Sequence, residues 1–585
     1  MLNKKIQNDL LIFILYAIIF LILTFPLVLN FCTSIIAPYD SDGPIFLWNA
    51  WHLEKNILAG NFSLYTDYLF YPQHTPLGLH TYSQFQSILT FIINLLAHNL
   101  VFSFNLVYLL SVSLCAYFTY KFFQLLNFKK SVSFLAGILF AFQPLWSIYA
   151  LFGTQNFLQM WYVPATLYFY EKFRQTNKPS NAFLVGLVIA SAFINDFYPF
   201  VFSLAGLAIY SLCINFQKIF KLFRHYLRLA IFSLLGFLIV ACWKIFLLWE
   251  QKDFISKMPK PSLQDIDSLY FADPVNLFRP VQWHFLWGSW STWFGNFSLQ
   301  NGNAFLGFSF ALLIILFLLI KIRKKTSWQN KRTFIIFLTA YLLILSLSFG
   351  PYLHFFGINT HWPMPDYFLA KIFPSFNHLR FPARWLILGQ IFFCGIFISL
   401  LAYLQTNLSA KIYKILFVCL TLALILEVMF LPRSMMPIFS KENELIQQIA
   451  KQTDNKTVLT IPMAISSGYF DLGETHKKAM AYQIIHQKPI IEGHLSRLPL
   501  DYKNYAQEPI IKYFLNYQNT QLDNTDLDAE NIKQFFNYYQ LGYIIIDKQK
   551  VDLTSNEGKI LLNYLQTNLN FQLLAENQYQ IIFQR

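Results

Sequence analysis

Ala37-Pro38-Tyr39-Asp40-Ser41-Asp42-Gly43-Pro44, followed at once by Ile45-Phe46-Leu47-Trp48-Asn49-Ala50-Trp51-His52, is the stretch on which the reading of this chain turns. Two carboxylates, two residues apart, occupy a Pro- and Gly-bounded loop between a long apolar run and a short aromatic segment. Ionised groups at a membrane face are costly to desolvate unless they are paired or used, so an acidic turn there points to a functional site. The competing reading is a solvated turn, because Asp is favoured at helix N-caps and Pro in the first helical turn.

The run before that loop, residues 10 to 30, follows Asn3-Lys4-Lys5 and can cross about 30 Å of hydrocarbon as a helix. It is too long for a signal-peptide core and lacks a small-residue cleavage site, so it is expected to be retained. Similar runs recur to residue 431, in a chain of 585 residues that is 56% hydrophobic and only 13% charged. That composition excludes an ordinary soluble protein. The net charge of +14 would suggest nucleic acid in a soluble chain, but here Lys and Arg gather in short loops on alternate sides of the runs. The six cysteines fall in or beside apolar runs with no CxxC spacing, and none follows Cys419, so no disulfide framework is expected.

The basic loops set the parity. Eleven crossings are expected, at 10–30, 101–123, 132–150, 157–173, 181–197, 199–217, 229–249, 304–321, 333–350, 384–405 and 412–431. Residues 84–99 are short and interrupted by Asn94 and His98, and counting them as a span would reverse the sign of every later loop; they are expected to be re-entrant. The N-terminus is then cytoplasmic. The first loop 31–83, the loop 250–303 and the tail from 433 are extracytoplasmic.

Residues 433–585 have soluble composition, with strand-like runs at Thr457–Pro462, Tyr543–Asp547 and Tyr579–Phe583 and helical patterns at Glu442–Lys451 and Lys559–Leu565. The expected architecture is a polytopic α-helical membrane domain, 1–432, with a small C-terminal extracytoplasmic α/β domain, 433–585.

Polar clusters collect on one face. Asp40 or Asp42 could serve as a general base. Asn195-Asp196 joins two spans with almost no loop, as a tight turn or as the wall of a polar cavity. Arg380 and Arg384, in His378-Leu379-Arg380-Phe381-Pro382-Ala383-Arg384-Trp385, run against the positive-inside trend. A guanidinium fork suits phosphate, and interfacial snorkelling is the alternative. His80, His284, His354 and His494 have no metal-ligand spacing and suit hydrogen-bonded loop positions. No P-loop, GxGxxG, HExxH or GxSxG is present.

The order of these features resembles the GT-C superfamily of integral-membrane glycosyltransferases, and more closely a bacterial subgroup of GT-C-like membrane proteins. The resemblance is carried by FLWNAWHLEKNI, YTDYLFYPQHTPLGLHTYS, INDFYPF, FNHLRFPARW, and in the tail AYQIIHQKPIIEGHLSRLP and LGYIIIDK. It implies transfer of a sugar from a polyprenyl-phosphate donor to a cell-envelope glycan, lipid or protein acceptor at the bacterial inner membrane, with a first-loop Asp as base. That role carries onto Asp40 or Asp42, with Asp42, nearer the following helix, slightly favoured. Arg380 and Arg384 would hold the donor phosphate, and Trp48, His80, Asn195, Asp196 and Gln155 would line the substrate. Gln155 stands where the subgroup favours His. No cofactor is expected; a divalent metal at Asp40/Asp42 is the alternative. The rival function is a lipid-glycan transporter or scaffold, which would more often carry charges near the middle of paired spans.

The topology is testable directly: a cysteine at Ser496 is expected to react with an impermeant thiol reagent on intact cells. Labelling only after permeabilisation would reverse the assignment of faces.

Overall fold

The computed structural model describes residues 4–38, 41–142, 149–150, 153–215, 222–267, 271–282, 284–294, 304–324, 328–429, 434–518 and 529–585. Asp40 and residues 143–148 of the expected 132–150 span lie outside them. The principal helices are α1 (Lys4–Leu23), α2 (Gly43–Leu58), α3 (Gln84–Ala97), α4 (Leu100–Leu125), α5 (Lys130–Ala141), α6 (Tyr162–Thr176), α7 (Pro179–Asn195), α8 (Phe197–Asn215), α9 (Phe223–Glu250), α10 (Phe308–Lys324), α11 (Lys331–Ser348), α12 (Trp385–Asn407), α13 (Ala410–Met429) and α14 (Lys478–His486). Among the described residues, six helices are long and apolar enough to cross a membrane: α1, α4, α8, α9, α11 and α12 with its leading turn. The chain is a multi-pass helical membrane protein.

Local chemistry moves several expected boundaries. α1 ends at Leu23 rather than 30, because Pro26 has no amide hydrogen and disfavours helix at Phe25; a 3-10 turn, Leu27–Asn30, follows. α3 has 14 residues, a rise of about 21 Å, shorter than about 30 Å of hydrocarbon. The expected 157–173 span begins late, at Tyr162, after a 3-10 turn over Gln155–Phe157.

The chain divides into two units. The first holds residues 1–28, 106–242 and 260–434. Its centre is α12, nearly every residue of which is buried. Lipid tails supply no hydrophobic drive between helices, so close approach of backbones does the work. At the crossing of α7 and α9, a Cβ on Gly186 would run into the Ser233 backbone and one on Gly236 into the Phe183 carbonyl.

The second unit holds residues 29–105, 243–259 and 435–585. The expected boundary at 433 therefore does not isolate the tail, because the first loop is built into it. Its strands are β1 (Ser34–Ile36), β2 (Met435–Pro437), β3 (Thr457–Ile461), β4 (Ala464–Ser467), β5 (Asp471–Gly473), β6 (Gly493–Leu495), β7 (Leu541–Asp547), β8 (Gln572–Glu576) and β9 (Gln580–Gln584). β1 pairs antiparallel with β2, tying the end of the first apolar run to the start of the tail. The main sheet has the order β8-β9-β7-β3, with β3 and β7 parallel, and a second sheet has the order β6-β4-β5. β7 is buried along its whole length, which is why Tyr543-Ile544-Ile545-Ile546 reads as a continuous apolar run.

The aromatic segment that follows the acidic loop forms a core helix. Gly43 through Leu53 are all buried. Trp48 donates its Nε1–H to Gln483 Oε1 of α14 at 2.6 Å and stacks on His52 at 4.6 Å between ring centroids. The tail also takes hydrogen bonds from the loop backbone, at Tyr71 N to Ile490 O (3.1 Å) and Phe70 N to Glu492 O (3.4 Å).

Glu492 gives this unit a pH signature. Its side chain is 2% exposed, Oε1 accepts from Thr460 N at 2.8 Å, and burial pushes the carboxyl up to about 7. The protonated acid is therefore the native form, and the stability it brings is whole below the unfolded pKa of about 4.3 and lost as pH rises through 7. Glu492→Gln is expected to stabilise the detergent-solubilised protein at pH 8, on the order of 3 kcal/mol, and so raise its unfolding midpoint, with a much smaller gain at pH 5. Equal gains at both pH values would contradict the buried-acid account.

Candidate functional site

Asp42 sits in the N-cap position of α2 with φ −75° and ψ −8°, and its side chain makes no capping hydrogen bond. The turn reading of this carboxylate is thus set aside. Its Oδ1 instead accepts from Lys477 Nζ at 2.6 Å, and the two side chains keep 35% and 17% of their exposure. Gly43 permits the turn, because a Cβ there would overlap that of Ala37.

Around the pair stand His80, His494 and Arg497. His80 Nδ1 accepts from Ser496 N at 3.1 Å, so Nε2 carries the proton and donates to Asn49 Oδ1 at 3.1 Å. Burial pushes its pKa down to about 3, with His494 and Arg497 adding to the effect and Asp42 opposing it. His494 shares a 2.6 Å hydrogen bond with the Ser466 hydroxyl; burial, then Lys477, hold it down to about 3 against the pull of Asp42. Both imidazoles are neutral at physiological pH.

Two expected substrate residues are corrected here. His80 is a strut between the first loop and the tail, with both ring nitrogens occupied. Trp48 is 0% exposed and spends its indole on Gln483 and His52, so no ring face is open to a sugar. Ser496, bonded to His80 and Thr81, is also a poor place for a reporter cysteine; exposed Gln578 serves the same topology test.

The other expected residues meet in the first unit. Gln155, Asn156 and Phe157 form the 3-10 turn before α6, and Asn195 and Asp196 end α7; all five are buried. Asn156 Nδ2 donates to Asp196 Oδ2 at 2.6 Å, which joins the two turns. Two residues on, the Tyr198 hydroxyl donates to Leu379 O at 2.9 Å and so holds the segment before α12. The Arg384 guanidinium then lies over three rings, Phe381 at 4.1 Å, Phe157 at 4.5 Å and Tyr198 at 4.8 Å. Among the described residues no carboxylate pairs with it, and its Nε has no hydrogen-bond partner. Arg380 lies over the same Phe381 ring at 5.0 Å, with φ +28°.

Three functional candidates escaped the sequence. Lys477 lies 435 residues from Asp42 and has no local signature. Tyr149 is buried with its ring 5.0 Å from Phe157, and its hydroxyl, within electrostatic reach of Arg384, has no hydrogen-bond partner among the described residues. Asp366, in the short helix Pro365–Ile372, is 4% exposed, and burial pushes its carboxyl up to about 7. Among the described residues no group of three or more His, Cys, Asp or Glu side chains is arranged to hold a metal ion.

Residues 85–243 match the model of the dolichyl-phosphate-mannose-protein mannosyltransferase family. The match takes in Gln155, Asn195 and Asp196 but neither Asp42 nor Arg384. No curated protein matches the chain. Among solved structures, the mycobacterial arabinofuranosyltransferase AftD aligns with TM-score 0.54 and 10% identity, over 99% of this chain and 40% of its own. The Archaeoglobus fulgidus oligosaccharyltransferase in its apo form aligns with TM-score 0.50 and 11% identity, over 92% of this chain and 70% of its own. The chain spans less than half the length of AftD. Identities this low speak for the fold alone, and both of these proteins are GT-C glycosyltransferases. The chain is a multi-pass membrane protein with the fold of the GT-C superfamily.

Proposed function

We propose that this protein is a glycosyltransferase that moves a sugar from a polyprenyl-phosphate donor to a cell-envelope acceptor on the outer face of the bacterial inner membrane. The observation that carries this reading is the Arg384 cage. A guanidinium held by Phe157, Tyr198 and Phe381, with no counter-carboxylate among the described residues, is a charge the fold itself does not use. A second guanidinium on the same Phe381 ring raises the local positive potential. Such a site fits a phosphate, singly charged in the donor diester and doubly charged in the departing polyprenyl phosphate, because a guanidinium binds it through two parallel N–H bonds. The family model matched by residues 85–243 is described by a lipid-phosphate sugar donor, which supports the same ligand class.

In this mechanism the acceptor oxygen attacks the anomeric carbon while its proton passes to a general base. The bond from the anomeric carbon to the phosphate oxygen breaks, and its electron pair leaves on polyprenyl phosphate. Two roles are proposed separately: electrostatic stabilisation of a phosphate by Arg384 in the first unit, and general-base catalysis by Asp42 in the second. The hydrogen bond from Asn156 to Asp196 holds the turns that fix the cage, and Gln155, Asn195 and Asp196 are the proposed substrate-lining residues there. The N-terminus is cytoplasmic and the tail extracytoplasmic in this reading, so donor enters from the bilayer and no nucleotide site is needed.

Two substitutions test the roles in reconstituted vesicles supplied with labelled polyprenyl-phosphate sugar. Arg384→Lys keeps the charge and loses the fork, and is expected to cut transfer by about tenfold or more, on the scale of 1.5 to 3 kcal/mol for a charge-assisted bond. Undiminished transfer would reduce Arg384 to an interfacial anchor.

Asp42→Asn keeps size and insertion while removing the proton acceptor, and is expected to lower turnover by about 10²- to 10⁴-fold. A fully active variant would move the base elsewhere, first to Asp40 or Asp196. Wild-type protein that binds the lipid without transferring sugar would instead favour a transporter or scaffold.

A further inference from the structure

We propose that Lys477, supplied by the C-terminal region, is a positioning residue for the Asp42 carboxylate, so that the first-loop site is complete only when the tail is folded onto it. This rests on the reading of Asp42 as the base.

The argument begins with register. Asp42 precedes α2 and Lys477 precedes α14; six residues further along each chain stand Trp48 and Gln483. Lys477 bonds Asp42 at 2.6 Å and Trp48 bonds Gln483 at 2.6 Å. Six residues of helix rise about 9 Å on either side, so the two bonds are rungs between parallel helices. A slip by one residue would break both.

Lys477 is also held from behind. His476 Nε2 and Lys478 Nζ each lie 3.2 Å from Asp547 Oδ2 at the end of β7, and the Tyr482 hydroxyl donates to the same oxygen at 3.0 Å. Asp547 is 1% exposed; burial opposes its ionisation, but the His476 hydrogen bond and the Lys478 charge outweigh that and hold the carboxyl well below the usual range. The middle residue of His476-Lys477-Lys478 is thereby aimed at the first loop while its neighbours are anchored in the tail.

The groups facing the Asp42–Lys477 pair are His80 from the first loop, His494 and Arg497 from the segment around β6, and Asp471 from β5. The two histidines are neutral, and Asp471 interacts electrostatically with Lys477. The Lys477 ammonium bonded to Asp42 at 2.6 Å favours the ionised carboxylate.

The test reads the pH dependence of kcat/KM for sugar transfer by the full-length protein in vesicles. Lys477→Met is expected to move the acid limb to higher pH, so that transfer relative to wild type falls as the pH is lowered along the limb while the plateau is kept. Lys477→Arg is expected to restore the limb. A uniform loss at all pH values with an unmoved limb would make Lys477 merely structural and overturn the proposal.

A second arm needs no activity. Acetic anhydride should modify Lys477, followed by peptide mass spectrometry, several-fold faster in Asp42→Asn than in wild type; equal rates would overturn the pair itself. Wild type that shields Lys477 yet transfers no sugar at any pH overturns the transferase reading, and with it the role assigned to the pair.

Discussion

The docking of α2 against α14 is the constraint on which the second unit depends. An isolated loop between a membrane span and the short helix α3 could not bury all of Gly43 through Leu53, because α3 covers only part of α2. The tail supplies the remaining surface, and the indole of Trp48 is satisfied only by an amide from α14. A buried donor left without its acceptor costs about 1 to 3 kcal/mol, so this bond discriminates the native register from its neighbours. The same docking leaves Asp42 at the helix start with its carboxylate turned to a lysine rather than to the backbone amides behind it.

In the first unit the governing fact is the converse, a charge that the fold stabilises without neutralising. Three aromatic faces hold the Arg384 guanidinium, and each is itself fixed: Phe157 by the turn that Asn156 bonds to Asp196, Tyr198 by its hydroxyl on Leu379 O, and Phe381 by the chain leading into α12. Cation–π contacts of this kind are worth about 0.5 to 2 kcal/mol each, enough to orient a guanidinium and too little to replace its water. That deficit is what an anionic ligand would supply.

Much of the fold was legible because hydrocarbon imposes length and composition on every crossing helix. The shortness of α3 and the apolar strands of the tail could be read from runs of residues, since the signals are local. What could not be read was every contact made across long stretches of chain. Trp48 and His80 looked like ligands because they flank an acidic loop. They prove to be partners of Gln483 and Ser496, more than 400 residues away, and no periodicity announces such a bond. Arg384 was legible for the opposite reason: two arginines against the charge bias of a membrane protein demand an explanation wherever they lie. The boundary at 433 was read from a shift in composition, and β1 pairing with β2 brings the first loop into the tail's unit.

The account stands most directly on the lipids of cells that lack this protein. Deletion is predicted to cause a polyprenyl-phosphate-linked sugar to accumulate, with normal levels restored by the wild-type chain and not by one carrying Asp42→Asn. An unchanged lipid-linked sugar pool in the deletion strain, or full restoration by the Asp42→Asn chain, would contradict it.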